Sequence, residues 1–325
     1  MVINTRLFLV LCFLSFSVYS MEKGVGVHPG EFRGTAEEFV GLLKKYKVSS
    51  FRTDYPWSRV EKAKGVFSPI DNKTDDIILL SKKNNIKPLL ILDYGNKIYN
   101  INKPISDEEI AKFNNYVLWV VNRFKGTVPI YEIWNEWSMP GPHKITRGLQ
   151  SATEYVNLVK KVSAVIRSQD PNARILAGSF NPTSPDDNEW GQNIVRLGIL
   201  KYIDGISIHP YLYRGRRSIS SPIIDLIYIK NIHDTLSNIA GKDVSIYITE
   251  IGIPSSNNVS FTSPEISNFY NDYMNYVSKL KYVKGVWWYD FIDDGVNKNN
   301  DEHNFGILNN DLSEKAIAEK FKQYK

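Results

Sequence analysis

Polar and apolar positions along this chain fall into eight short runs rich in β-branched and aromatic residues, separated by longer stretches of helical period. The runs are Gly24 to His28, Val48 to Asp54, Pro88 to Asp93, Val128 to Trp134, Arg174 to Ser179, Ile203 to His209, Val244 to Thr249 and Val283 to Tyr289. Between them, Ser/Thr-x-x-Glu signals predict helix starts, because the hydroxyl caps a free amide and the glutamate reaches back to the capping residue. Thr35 with Glu38, Ser106 with Glu109 and Ser151 with Glu154 fit, and Ser263-Pro264-Glu265 reads as an N-cap with proline at the first helical position. Helical stretches near Asp75 to Lys83, Asp187 to Leu200, Ile224 to Ala240 and Glu314 to Gln323 complete the alternation. Eight strand-helix units imply an α/β protein built as a closed parallel (β/α)8 barrel. The alternative is an open doubly wound sheet, but no Gly-rich phosphate turn follows an early strand.

The first twenty residues read differently from the rest. Arg6 precedes an apolar stretch from Leu7 to Val18 that ends at the small residue Ser20, the layout of a secretory signal cleaved near Ser20. The stretch is short for a membrane span, so a retained anchor is the weaker alternative. The expected organisation is a signal peptide over 1–20 and one barrel domain over 21–325, in a secreted or periplasmic protein with no membrane span in the mature chain. Cys12, the only cysteine, lies inside the signal, so the mature chain has no disulfide and relies on a large packed core.

Charge changes this picture little. Removing Arg6 with the signal lowers the formal charge from +5 to +4, too small and dispersed to imply nucleic acid. The one basic run, Arg214, Arg216 and Arg217, reads as a solvated loop or, as a minority alternative, as a contact to an acidic sugar. The five histidines (His28, His143, His209, His233 and His303) show no ligand spacing, so neither a metal nor a cofactor is expected.

Chemistry enters at the ends of the strands. Glu136 closes the run Ile130-Tyr131-Glu132-Ile133-Trp134-Asn135-Glu136, and Glu250 closes Val244 to Thr249. Glutamate is depleted in strands and costly to bury unpaired, so two such endings in one chain need a reason. On a parallel barrel both carboxylates reach the same C-terminal rim, where they can act as an acid and a nucleophile. Arg52, Asp54, Asp93, Tyr94, His209, Tyr211 and Asp290 fall at the same rim, as do five of the seven tryptophans (Trp57, Trp134, Trp137, Trp287 and Trp288), whose flat faces suit sugar stacking. Trp119, in a helical pattern, reads as core. Glu132 should point into the barrel as a buried structural carboxylate paired with a cation, and Trp287 should face the helices.

Ile133-Trp134-Asn135-Glu136, Ser207-Ile208-His209-Pro210-Tyr211, the Glu250 strand end, Trp287-Trp288-Tyr289-Asp290-Phe291 and Phe305-Gly306-Ile307-Leu308 together resemble the retaining (β/α)8 glycoside hydrolases of clan A. Within that clan the wording is most similar to glycoside hydrolase family 39 and its bacterial exopolysaccharide-hydrolase relatives. The resemblance implies Glu136 as general acid/base, Glu250 as nucleophile and Asn135 on the hydroxyl next to the reacting carbon. It further implies Arg52 and Tyr211 as hydrogen-bond donors to Glu250, His209 as a contact to the sugar or the acid/base, and Trp288 as the floor of the reacting subsite. The third strand departs from the family, ending in Asp93-Tyr94 where many clan members carry histidine or tryptophan.

The implied activity is retaining hydrolysis of a polysaccharide, bacterial exopolysaccharide in the first place, by a monomer. The alternatives are an exo-acting small-glycoside hydrolase such as a β-xylosidase, and a carbohydrate-binding barrel without turnover. The physics requires one carboxyl to protonate the leaving oxygen while the other attacks as an anion, about 5 to 5.5 Å away.

Overall fold

The computed structural model describes residues 21–139, 147–212 and 221–324. Eight parallel strands close into a barrel: β1 (Glu22–Gly26), β2 (Ser50–Asp54), β3 (Lys87–Leu92), β4 (Ile130–Ile133), β5 (Arg174–Phe180), β6 (Gly205–Ile208), β7 (Ile246–Ile251) and β8 (Val283–Trp288). Each strand pairs with its neighbours in sequence, and β1 pairs with both β2 and β8, which excludes the open doubly wound sheet. The helices that follow the strands are α1 (Ala36–Lys45), α2 (Asn72–Lys83), α3 (Asp107–Phe124), α4 (Leu149–Gln169), α5 (Pro185–Arg196), α6 (Pro222–Ala240), α7 (Ser263–Val277) and α8 (Ala316–Gln323). A small antiparallel pair, Glu61–Ala63 with Val66–Phe67, lies between β2 and α2.

The expected capping boxes at Thr35/Glu38 and Ser106/Glu109 are formed. Two other starts move. Helix α4 begins before Ser151, with Gly148 as its N-cap at φ 112°, a conformation open to glycine; Ser151 is then an interior residue and makes no box with Glu154. Helix α7 is capped by Thr262, which makes the reciprocal box with Glu265, so Ser263 occupies the first helical position and Pro264 the second. Both signals identified the helix and missed its register, because the cap actually used lay three residues earlier in α4 and one residue earlier in α7. Helix α5 ends at Arg196, and Gly198 separates it from a 3-10 turn over Ile199–Lys201.

Alternation along the strands builds two cores. Most apolar side chains lie between sheet and helices, and a smaller inner cluster of Leu89, Ile91, Ile130, Leu176, Tyr247 and Trp287 fills the base of the barrel. Gly24 and Gly205 make room there, since a Cβ at either would fall 2.2 Å from the Trp287 ring and 2.4 Å from the Tyr247 ring. Trp287 therefore points inward, with its indole N–H donating to Ser50 Oγ at 3.0 Å, not toward the helices as expected. Above this apolar plug the inward positions turn polar, and the site begins.

The signal-like residues 1–20, the basic run at Arg214, Arg216 and Arg217, and His143 lie outside the described residues. Among the described residues no helix is long and apolar enough to cross a membrane.

Candidate active site

Arg52, inward-facing on β2 and buried, organises the mouth of the barrel through its guanidinium. Its Nε donates to Glu132 Oε2 at 2.7 Å, its Nη1 to Glu250 Oε2 at 3.0 Å and its Nη2 to Asn135 Oδ1 at 2.8 Å. One cation thus ties β2 to β4 and β7. Glu132 is fully buried and also accepts from Thr249 Oγ1 at 2.9 Å, the structural, cation-paired carboxylate its position predicts.

Local backbone irregularities aim both rim glutamates. Val286 pairs with Ile248 but Trp288 with Ile251, so β7 carries one extra residue across from Trp287. That bulge turns Glu250 into the mouth although Thr249 beside it also faces inward. After β4, Trp134 and Glu136 both adopt left-handed backbone, with φ 67° and 48°. Such conformations cost non-glycine residues about 1–3 kcal/mol each, and they persist only where surroundings enforce them. Here the Glu136 N–H donates to Ser179 Oγ at 2.7 Å, and the Ser179 N–H donates to Ser207 Oγ at 2.9 Å.

The pair is differentiated by its partners. Burial would raise the Glu250 pKa, but the facing charges of His209 and Arg52, with the Tyr211 hydroxyl donating to Oε1 at 2.6 Å, hold it below the usual glutamate value. Glu136 meets His209 Nδ1 at 3.0 Å, and His209 Nε2 lies 3.1 Å from Thr249 Oγ1. Glu136, His209 and Glu250 each bring a ligand atom to within 4.8 Å of the others. The two carboxylates are therefore close enough to flank a single glycosidic bond from its two sides.

Arg52, Glu136, Tyr211 and Glu250 line a cleft of about 240 Å³ with Gly26, His28, Asp54, Tyr94, Asn135 and Tyr289. Tyr94, at 44% exposure, receives the Asn135 side-chain N–H at its hydroxyl oxygen, 2.9 Å away. His28 bridges Asp294 at 2.7 Å and Asp290 at 3.6 Å. Burial opposes its charge, but those carboxylates prevail and push its pKa up to about 10. A larger cavity of about 910 Å³ shares Val27 and His28 with the cleft and opens between α1 and Asn310 to Leu312, but neither rim glutamate lines it.

Of the expected site residues, Glu136, Glu250, Arg52, Asn135, His209 and Tyr211 converge here, and Trp288 does not. Trp288 is 1% exposed, packs edge-on to Tyr270 of α7 at 5.1 Å, and lies on the helix side of β8. Tyr289, the next residue, lines the cleft in its place. The inward position of Trp287 fixes this parity: a slip of one residue exchanges the faces of a whole strand. The other rim tryptophans are also core. Trp57, Trp134 and Trp137 are at most 2% exposed, and the left-handed turn at Trp134 tucks it against Trp137 at 5.0 Å. Trp119 is half-buried, stacked on Phe67. Sequence reasoning missed Tyr289 as a cleft residue; the inward requirement at Gly24 and Gly205 was the signal that could have set the register.

An eight-stranded parallel barrel that gathers an Asn-Glu pair after β4, a glutamate on β7 and an arginine on β2 in one mouth defines the class of (β/α)8 glycoside hydrolases. The family model described as Cellulase (glycosyl hydrolase family 5) matches residues 21–291, and the chain belongs to that family. Its likeness to family 39 reappears in three dimensions. A family 39 glycoside hydrolase from the gut symbiont Bacteroides cellulosilyticus WH2 shares 25% identity and a TM-score of 0.74 over 94% of this chain, which spans 63% of the length of that one. A family 5, subfamily 18 enzyme from Streptomyces cattleya, solved with GlcNAc, has a TM-score of 0.74 at 12% identity, covering 94% of this chain and 79% of that chain. A family 10 endoxylanase retrieved from a sugarcane soil metagenome has a TM-score of 0.70 at 14% identity, covering 94% and 98%. The last two share the fold. No curated protein matches the sequence.

Proposed function

We propose that this protein is an exported, retaining O-glycosidase that cleaves a polysaccharide, bacterial exopolysaccharide in the first place, by double displacement. The observation that carries the reading is the close approach of Glu136 and Glu250, whose carboxylate oxygens lie within 4.8 Å. That spacing fits the about 5–5.5 Å carboxyl separation of direct attack on the anomeric carbon better than the about 6.5–9.5 Å of an inverting pair. Glu250, held ionised by Arg52 and Tyr211, attacks and forms a glycosyl-enzyme. Glu136 protonates the departing oxygen, then takes a proton from the water that hydrolyses the intermediate. His209, in contact with Glu136 and 3.8 Å from Glu250, orients the acid/base. Export rests on the apolar stretch from Leu7 to Val18 before Ser20, and mass spectrometry of secreted protein that found Met1 retained would contradict it.

The mechanism is tested with Glu136→Ala and a glycoside carrying a good phenolic leaving group. Departure of such a phenol scarcely needs an acid, so the glycosyl-enzyme still forms and then hydrolyses slowly. Azide, a nucleophile that needs no base, should restore turnover and give a glycosyl azide of the substrate's own configuration. A glycosyl azide of opposite configuration from Glu136→Ala, or one of retained configuration from Glu250→Ala, would show the two roles exchanged.

A further inference from the structure

The end of β3 holds a group that this mechanism leaves unused. Asp93 is fully buried, and among the described residues neither of its carboxylate oxygens receives an N–H or O–H. A bare carboxylate in that position would be costly. Its side chain instead meets the carboxyl of Asp54 from β2, a contact between two acids that closes only with a proton between them. Burial first, and the Asp54 charge second, keep the Asp93 pKa well above the ordinary value, so Asp93 carries that proton.

Asp54 is the half-buried member and lines the cleft beside Tyr94, Asn135, Glu136, Glu250 and Tyr289. The Arg52 guanidinium is engaged with Glu132, Glu250 and Asn135, and the Asn135 amide with the Tyr94 hydroxyl oxygen. At Asp54 the cleft thus offers a substrate oxygens that accept and carry negative charge. A hydroxyl can donate to such a wall, whereas a carboxylate or an ester oxygen is repelled by it.

We propose that Asp54, backed by Asp93, is the specificity-determining residue of the cleft: it accepts hydrogen bonds from free hydroxyls of the sugar being cleaved and rejects a sugar whose group there is a uronate carboxylate or an O-acyl ester. This inference rests on the glycosidase reading and names the substrate class within it: neutral, unacylated at the hydroxyls facing β2 and β3. It counts against an acidic sugar, the partner that the basic run after β6 would suit.

The test uses the purified protein and methylumbelliferyl glycosides of glucose, xylose, mannose, galactose and glucuronic acid, followed by monodeoxy forms of the best neutral substrate. In the wild type, removing one particular hydroxyl should lower kcat/KM by about 10- to 100-fold, the worth of a hydrogen bond to a charged group. In Asp54→Ala the parent and that deoxy glycoside should be turned over alike. Asp54→Asn, which keeps the shape and can donate to Asp93, supplies the same ratio if the alanine variant does not fold. It should also raise turnover of the glucuronide relative to the neutral parent by about tenfold. A deoxy penalty unchanged in both variants, or a wild-type preference for the glucuronide, overturns the proposal and leaves the glycosidase reading standing. Failure of the wild type on every glycoside and on a polysaccharide panel overturns the glycosidase reading and this inference with it.

Discussion

Glu250 and Asp93 are acidic side chains drawn into the same barrel mouth, and their surroundings drive them to opposite charge states. Glu250 receives the Arg52 guanidinium and the Tyr211 hydroxyl and faces His209, so it stays ionised below the usual glutamate range. Asp93 receives no donor among the described residues and faces another acid, so it stays protonated above the usual aspartate range. Burial acts in the same direction on both; the supply of donors decides the outcome. A barrel rim can therefore hold an ionised carboxylate and a neutral acid on different strands without changing residue class.

The contrast breaks most completely at Glu250→Ala. Loss of the proposed nucleophile should lower kcat on every glycoside by about 10⁴-fold or more, read as hydrolysis rates on activated and natural substrates alike. Residual activity on natural substrates alone would mean that another group attacks. Next is Arg52→Met, which leaves Glu132 buried without its cation. Chemical denaturation should show a loss of about 3–5 kcal/mol, and stability equal to the wild type would mean that Arg52 does not compensate the buried charge.

Tyr211→Phe removes a single donor. It should raise the Glu250 pKa, move the acid limb of the kcat/KM profile to higher pH, and lower the plateau by about 10- to 100-fold. An unmoved acid limb would detach Tyr211 from Glu250.

The smallest expected effect sharpens the comparison instead of breaking it. The folded pKa of Glu250 is depressed, so its contribution to stability is present above its unfolded value near 4.5 and is lost as pH falls through the folded value. The folded pKa of Asp93 is raised, so its contribution is full below about 3.8 and is lost as pH rises toward its folded value. Each slope is at most about 1.4 kcal/mol per pH unit. Asp93→Asn should abolish the decline above pH 4 in denaturation series and leave the acid-side loss intact. If the decline persists, Asp93 is not the proton carrier.

Much of this was legible in the sequence, for definable reasons. All eight strands announced themselves, because β-branched runs between capped helices have few other readings. Glu136 and Glu250 stood out as carboxylates where strands should not have them, and Glu132 was readable because alternation points it inward. The tryptophans misled. Their side depends on a one-residue parity at β8 and on left-handed turns at Trp134 and Glu136, and neither is written in local composition. The Asp54 and Asp93 pairing was hidden for a different reason: it is a contact across two strands, and its chemistry lies in a donor that is missing.

The Arg52 fork also constrains how this molecule can change over generations. Glu132, Asn135 and Glu250 all lean on one guanidinium, so an exchange at any of them leaves its partners uncompensated, and tolerated replacements must arrive together. Tyr94, Asp54 and Tyr289 border the same cleft, and the three bonds of that guanidinium go elsewhere. Lineages descended from this barrel can thus drift to new sugars through those three positions while the reaction they perform stays fixed.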